Sequence, residues 1–252
     1  MRTATAQFNF PRPGKALLGL MITLVVCYVG ELVGLRAGLP VDALWLSPQA
    51  VFEQGAVWQL VTYLFQHSPT APGHLFMNLL WLYFFGARME QHWGPKRFLI
   101  LALVFGVAGG VLTLLVGLAS TWAPLGELLP GFWVRPHLGV SGAAMGIVIA
   151  YGLTFAHQQM QLLLLGAISG RTLVIGVVII ELISALSLDQ VSSTAHFGGM
   201  IAAFVYVRGF SGLRRVRLET KRKRLEHELQ VIQGGKSAPP SKLPSSNPKD
   251  WN

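Results

Sequence analysis

Cysteine is almost absent from this sequence: Cys27 is its single cysteine, so no disulfide can form within the chain. Charged residues are also scarce, at 12% of 252 residues, whereas a soluble domain carries about 25%. This scarcity excludes an ordinary soluble domain and predicts a membrane protein. The sequence lacks a His-Glu-x-x-His pattern, which argues against a zinc metalloprotease, and no pattern indicates a metal or an organic cofactor.

Hydrophobic residues make up 52% of the sequence and are concentrated in six segments. Apolar segments of this length predict transmembrane helices, and the shorter ones suit helices buried within a bundle. The predicted fold is therefore all-α, a polytopic membrane domain of residues 16–210. Its six predicted transmembrane helices cover residues 16–35, 74–90, 97–118, 141–157, 171–188 and 193–210.

The basic residues predict how these helices are oriented. Every Lys and Arg except Arg36 and Arg135 falls in the N-terminal arm (1–15), in the loops on the same side, or near the C-terminus. Because basic loops face the cytoplasm, both termini are predicted to be cytoplasmic. This topology, with attraction to anionic lipid, explains the net charge of +9, so nucleic-acid binding is not predicted.

Four segments flank or interrupt the predicted helices. Residues 37–73 and 119–138 are rich in aromatic residues and turns, which predicts outer loops at the membrane interface. Residues 211–233 have the pattern of a basic cytoplasmic helix near anionic headgroups, with a protein partner as the alternative. Residues 234–252 are rich in Pro and Ser, a composition typical of disorder.

Four polar residues lie at similar depth, near the outer ends of three predicted helices. His74 and Asn78 belong to the second helix, Ser141 begins the fourth, and His196 lies near the start of the sixth. Polar side chains are costly inside a membrane, so each needs partners or a function. A nucleophile, a base and two donors are the groups that acyl transfer requires. Catalysis is therefore predicted, with structural hydrogen bonding as the alternative.

Small residues recur at four-residue spacing in the fourth and sixth helices. They are Gly142, Gly146 and Ala150 in the one, and Ala195, Gly199 and Ala203 in the other. Such spacing lets membrane helices pack with their backbones near contact. Pairing these two faces predicts that Ser141 lies beside His196, while ordinary helix packing without catalysis is the alternative.

Three stretches of the sequence resemble the rhomboid family of intramembrane serine proteases. They are GHLFMNLLWLYFFGARMEQHWG (73–94), GVSGAAMG (139–146) and AHFGGMIAAF (195–204). The resemblance implies a six-helix rhomboid bundle that cleaves transmembrane protein substrates in the bilayer without a cofactor or metal.

The resemblance also implies a role for individual residues. Ser141 resembles the family's nucleophile and His196 its general base. His74 and Asn78 resemble the side chains that bind the oxyanion, with the backbone N–H of Ser141 as a further donor. Glu90, in the second-to-third loop, resembles an acceptor that fixes this loop.

The sequence departs from the family pattern at two residues and in the longer gap between Asn78 and Ser141, which contains the loop 119–138. Gln59 stands where the family often has Arg after Trp, and Met145 stands where many members have an aromatic ring that stacks on the catalytic histidine. Contact between sulfur and the imidazole could replace part of that stacking. These departures affect the expected rate and substrate choice more than the reaction.

Two acidic residues lie within predicted helices. Glu31 is expected to reach the membrane interface, and Glu181 is predicted to be a hydrogen-bonded structural acid, with tuning of a gate or proton relay as the alternative. Neither Asp nor Glu is evidently placed to orient His196. The sequence therefore predicts a slow enzyme, because the orienting acid of a catalytic triad contributes strongly to the rate.

The predicted function is an intramembrane serine endopeptidase in a bacterial inner membrane. A catalytically inactive rhomboid-like protein that binds membrane clients is the main alternative, and the presence of both Ser141 and His196 argues against it. A small-solute transporter is favoured only by the number of helices and by Glu181, and no inverted repeat is recognisable.

Overall fold

The structure, a computed structural model, describes residues 12–162, 166–186 and 193–209, together with Leu225. The chain divides into two units, residues 1–207 and residues 208–252. Residues 1–11 of the predicted N-terminal arm lie outside the described residues. So do the predicted tail and, apart from Leu225, the predicted basic helix.

The first unit is mostly helical; its longer helices follow the apolar segments of the sequence, and three short ones lie in the predicted outer loops. In chain order they are α1 (Lys15–Arg36), α2 (Pro48–Gln54), α3 (Gln59–Thr62), α4 (Pro72–Trp81), α5 (Ala87–Trp93), α6 (Pro95–Ala119), α7 (Ala123–Leu128), α8 (Ser141–Thr154), α9 (Gly170–Ala185) and α10, described over 193–209. A π-helical turn, Leu82–Gly86, joins α4 to α5, so the second predicted helix is one continuous helical stretch. Short 3₁₀ turns occur at Val41–Leu44 and Tyr63–Phe65.

Two helices of the described chain, α1 and α6, are long and apolar enough to cross a membrane by length and composition. The helix α8 is also apolar but has 14 residues, fewer than the roughly 20 that span a bilayer without tilt or thinning. The starts of α9 and α6 follow ordinary capping rules. Ser169 caps α9 by accepting a hydrogen bond from the N–H of Thr172, and Pro95 occupies the first turn of α6.

A β-hairpin is an exception to the all-α prediction in a fold that is otherwise mostly helical. Strand β1 (Gln159–Leu162) pairs antiparallel with β2 (Gly166–Ser169), and Gln159 lies opposite Ser169. The sequence predicts a fourth helix that continues to residue 157, whereas α8 ends at Thr154. The hairpin connects α8 to α9, because the chain leaves helical geometry at Phe155 and its backbone groups find partners across the two strands instead.

The core surrounds α8, which is buried along almost its whole length. By contrast, α1, α6, α9 and α10 expose large apolar side chains on their outer faces, including Val26, Leu115, Ile180 and Val205. Apolar residues around the outside of a bundle are unfavourable in water and favourable in lipid. The arrangement supports membrane insertion with α8 as the central helix.

The first predicted outer loop folds over the chain that leads into α8. Leu46 and His137 exchange two backbone hydrogen bonds, at 2.9 and 2.7 Å. The carbonyl of Tyr63 accepts a bond from the N–H of Gly139, at 2.9 Å, and its hydroxyl donates to the carbonyl of Gly106, at 2.6 Å. These bonds tie the outer loop both to α6 and to the residues just before Ser141.

Two buried carboxylates join distant parts of the fold. Glu90 accepts bonds from the backbone N–H groups of Ala16 and Leu17, at 3.0 and 3.1 Å, and so caps the first turn of α1. It is an acceptor, as the sequence predicts, but the element that it fixes is α1. The second carboxylate, Glu31, contacts the segment 37–73 that the sequence predicts at the membrane interface. Glu31 is buried and accepts bonds from Trp45 Nε1, at 2.8 Å, and from the N–H of His67, at 2.9 Å.

Candidate active site

Ser141 is the first residue of α8 and is buried. The first turn of a helix leaves backbone N–H groups without partners inside the helix. Together with the helix dipole, these groups favour negative charge at this end. The side chain of Ser141 therefore stands where an oxyanion formed next to it would meet backbone donors.

Gly139 brings His74 close to Ser141. The glycine has φ +116°, a conformation that residues with a side chain rarely adopt. A β-carbon at Gly139 would lie 2.7 Å from Cε1 of His74 and 3.7 Å from Oγ of Ser141. Both side chains therefore border the same point, and any larger residue would occupy the space between them.

Asn78 follows His74 by one helical turn on α4, so the two residues share a face. Its side chain is 3% exposed, and the amide Nδ2 has no hydrogen-bond partner among the described residues. A buried donor without a partner costs about 1–3 kcal/mol. Such a donor is suited to a ligand group that carries developing negative charge.

Close packing of α8 and α10 brings the region of Ser141 to that of His196. A β-carbon at Gly142 would lie 2.7 Å from the carbonyl oxygen of Ala195, and one at Gly199 would overlap the carbonyl of Gly142. The predicted pairing of small residues is confirmed at this point. At Gly146 the atoms nearest to an added β-carbon belong to Phe105 of α6.

The imidazole of His196 has one bonded and one unbonded nitrogen. Its Nδ1 lies 2.8 Å from Oε2 of Glu181, and its Nε2 is buried with no hydrogen-bond partner in the described part of the chain. The side chains of His196 and Glu181 are 14% and 9% exposed. Ser141 and His196 are not hydrogen-bonded to each other here. Catalytic hydrogen bonds are often long without substrate and shorten in the complex.

The contact with Glu181 corrects the prediction that no acid is placed to orient His196. Glu181 lies on α9, 15 residues before the histidine. A signal was present in the sequence, because a carboxylate within an apolar segment needs a partner. Its partner could not be identified without knowing which face of α9 turns toward α10.

Gln59 takes a structural role where the family often has arginine. It is buried, its Oε1 accepts a bond from the N–H of Ser47, at 3.0 Å, and its Nε2 donates to the carbonyl of Ala43, at 3.2 Å. One amide thus joins two points of the outer loop without a charge. Met145, the second departure, is buried in the core around α8.

His67 lies behind His74 and is 0% exposed. The two ring centroids are 5.3 Å apart. Burial, then the nearby His74, lower the pKa of His67 to about 4, and the carbonyl of Phe65 acts in the opposite direction. His67 is therefore neutral at physiological pH. Among the described residues, no group of three His, Cys, Asp or Glu side chains is arranged to hold a metal ion.

Comparison with known proteins identifies the relatives of this chain. The family model of the Rhomboid domain matches residues 54–212. The chain is 24% identical over 205 residues to the Rhomboid protease GluP of Bacillus subtilis (strain 168), a match covering 81% of this chain and 36% of that protein. It is 31% identical over 168 residues to RHOMBOID-like protein 12, mitochondrial, of Arabidopsis thaliana, covering 62% and 48%.

A third relative shows that similarity extends to a protein named as inactive. The chain is 36% identical over 70 residues to Inactive RHOMBOID-like protein 8 of Arabidopsis thaliana, which covers 28% of this chain and 19% of the relative. The matched regions thus span less than half of the length of each of these three relatives.

Proposed function

This chain belongs to the rhomboid family of membrane proteins, and from that premise we propose that it is an intramembrane serine endopeptidase. The observation that carries the proposal is the arrangement at the start of α8. There Ser141 lies beside His74, across Gly139, and its helix packs against the segment that contains His196. A nucleophile, an imidazole and a donor thus lie in one region.

In the proposed reaction, Ser141 Oγ attacks the carbonyl carbon of a substrate peptide bond while Nε2 of His196 takes the hydroxyl proton. The same imidazole then gives this proton to the leaving amine, and an acyl-enzyme remains. A water molecule then attacks the ester while His196 takes its proton; the bond between the acyl carbon and Ser141 Oγ breaks, His196 returns the proton to Oγ, and the second product leaves with a free carboxyl group. The unbonded state of Nε2 supports this assignment, because the lone pair has no competing partner among the described residues.

The oxyanion formed in each step would be held by His74, by Asn78 and by the backbone N–H of Ser141. The amide Nδ2 of Asn78 supports this role, since it is buried without a partner in the described structure. Donors placed before the reaction stabilise developing charge without reorganisation, and each is worth about 10² to 10³ in kcat.

We propose transmembrane segments of other proteins as substrates. A peptide bond in a helix is shielded by its own backbone hydrogen bonds, so the segment must unwind before Ser141 can reach the carbonyl. Segments with small or helix-weak residues near the cut are therefore expected to be preferred. Six helical stretches would cross a bacterial inner membrane with both termini in the cytoplasm. They are α1, α4 continued through α5, α6, α8, α9 and α10.

A catalytically inactive, client-binding protein is the second candidate function. Two observations favour it: Ser141 and His196 are not hydrogen-bonded here, and one relative is named as inactive. It predicts that substrates are bound and left intact.

Cleavage of a transmembrane peptide separates the two functions. The purified protein, in detergent and in lipid vesicles, is incubated with a single-span peptide labelled at both ends. Cleavage is expected for the wild type and is expected to be lost in Ser141→Ala and His196→Ala. Ser120→Ala is a matched control, because Ser120 is a buried serine at the end of α6 that donates to the carbonyl of Gly117. Binding without cleavage by the wild type would refute the protease.

A further inference from the structure

The reaction proposed above assigns no role to Glu181, although this residue contacts His196. The distance from Oε2 of Glu181 to Nδ1 of His196 is 2.8 Å, which is that of a strong, charge-assisted hydrogen bond. The acid is the last of the buried residues on α9, after Leu173 and Val177. These three residues lie on one face of the helix, at spacings of four.

In the described part of the chain, His196 is the one side chain that is in ion-pair distance of Glu181. An ionised carboxylate is costly to bury unless it is paired and hydrogen-bonded. The imidazole meets this need by donating its Nδ1–H. The bond also fixes the tautomer, because a proton held on Nδ1 leaves the lone pair on Nε2.

We infer that Glu181 is a positioning residue for the proposed hydrolysis, and that Ser141, His196 and Glu181 form a triad whose three members come from α8, α10 and α9. The inference rests on the proposed function. Glu181 acts through His196 and does not touch the substrate. It accepts the Nδ1–H, directs Nε2 to the serine hydroxyl, and stabilises the imidazolium that forms when His196 takes the proton.

The two nitrogens of His196 support this division of roles. The one that the carboxylate holds cannot act as a base, and the one that remains unbonded is the one the reaction needs. A purely structural acid would not require that the other nitrogen stay without a partner. The expectation of a slow enzyme, which assumed that no orienting acid exists, is replaced by the expectation that the rate depends on Glu181.

The test compares Glu181→Gln, Glu181→Asp and wild type in the peptide cleavage assay, with kcat and KM measured separately. Glu181→Gln keeps the size of the side chain and removes its charge. It is expected to lower kcat by about 10² to 10⁴. The upper value, about 10⁴, is the loss of kcat when the orienting acid of a serine-protease triad is neutralised. KM and the unfolding midpoint are expected to change little, and Glu181→Asp is expected to recover part of kcat.

Glu53→Gln is the matched control, because it makes the same chemical change in the outer loop, where Glu53 accepts bonds from Gln49 and Trp133. A second readout does not depend on turnover. The Nδ1–H proton of His196, followed by NMR in protein with ¹⁵N-labelled histidine, is expected far downfield in the wild type and is expected to move upfield in Glu181→Asp.

Each outcome separates the inference from the proposed function. If the wild type cleaves and Glu181→Gln retains its kcat, the inference is overturned and the protease stands. If Glu181→Gln does not fold, the wild-type NMR spectrum decides: an Nδ1–H chemical shift of His196 that is not far downfield overturns the inference. If the wild type does not cleave any peptide that it binds, the proposed function fails, and the triad fails with it.

Discussion

At the scale of single residues, the oxyanion-binding role proposed for Asn78 can be tested separately from substrate binding. The Nδ2 of its buried amide has no partner in the described structure, so in the proposed reaction it would gain a hydrogen bond when the oxyanion forms. Asn78→Ala is expected to lower kcat by about 10² to 10³ and to leave KM nearly unchanged. Steady-state kinetics with a transmembrane peptide measure both constants, and Gln91→Ala, an exposed position on α5, is the control. An effect confined to KM would assign Asn78 to substrate binding instead.

His67 is expected to make stability dependent on pH. Its pKa is about 4 in the folded protein and about 6.5 in an unfolded chain. The unfolded state therefore binds the proton more tightly, and stability is lost as pH falls from 6.5 toward 4. The loss approaches about 3 kcal/mol at the acidic end.

Detergent unfolding curves at pH 7 and pH 4.5 measure this loss. His67→Phe replaces the buried imidazole by a ring that cannot be protonated, so it is expected to reduce the pH dependence in this window by the part that His67 contributes. Equal pH dependence in the wild type and His67→Phe would assign the effect to another group.

The site residues differ in how far sequence alone could predict them. His74, Asn78, Ser141 and His196 stand out because they are polar groups near the ends of apolar segments. Glu181 stands out for the same reason, yet its pairing with His196 depends on the rotation of α9. That rotation cannot be predicted from the sequence, because large apolar residues occur on all sides of this helix.

Among the secondary-structure elements, the close packing of α8 against α10 can be tested by a substitution. A β-carbon at Gly199 would overlap the backbone of Gly142, so Gly199→Ala is expected to push the two helices apart. Overpacking of this kind costs about 1–3 kcal/mol, and cleavage is expected to fall because Ser141 and His196 move apart. Gly176→Ala on α9 is the control, since nothing lies within 4 Å of its added carbon. Similar behaviour of the two variants would contradict the close contact.

Glu90 fixes the start of α1, so its substitution tests how this helix is held in place. Glu90→Ala removes two bonds to backbone N–H groups of that helix. Hydrogen bonds to charged groups contribute about 1.5–3 kcal/mol each, so a clear drop in the unfolding midpoint is expected in a detergent titration. A stability equal to that of the wild type would show that α1 is held by its apolar packing alone.

The elements themselves were predictable where length and hydrophobicity decide them. The helices α1 and α6 agree with their predicted bounds within two residues at each end. The hairpin was not predictable in this way, because a short run such as Gln159–Leu162 is equally compatible with a helix or a strand. The bonds that Gln59 makes within the outer loop depend on long-range contacts that no local pattern contains.

For the whole molecule, the proposed topology predicts which loops face the cell exterior. In a Cys27→Ser background, a cysteine is placed at Thr70, before α4, or at His157, between α8 and the hairpin; both positions are exposed. An impermeant maleimide added to intact cells is expected to label Thr70→Cys and to label His157→Cys only after lysis. The reverse pattern would contradict the positive-inside orientation.

Labelling with a fluorophosphonate probe tests most directly whether this fold presents an activated serine. Wild-type protein in detergent is expected to form one covalent adduct, located on Ser141 by mass spectrometry. The adduct is expected to disappear in Ser141→Ala, to form much more slowly in His196→Ala and to persist in Ser120→Ala. Equal labelling of wild type and Ser141→Ala, or an unlabelled wild type that still binds a transmembrane peptide, would contradict the account.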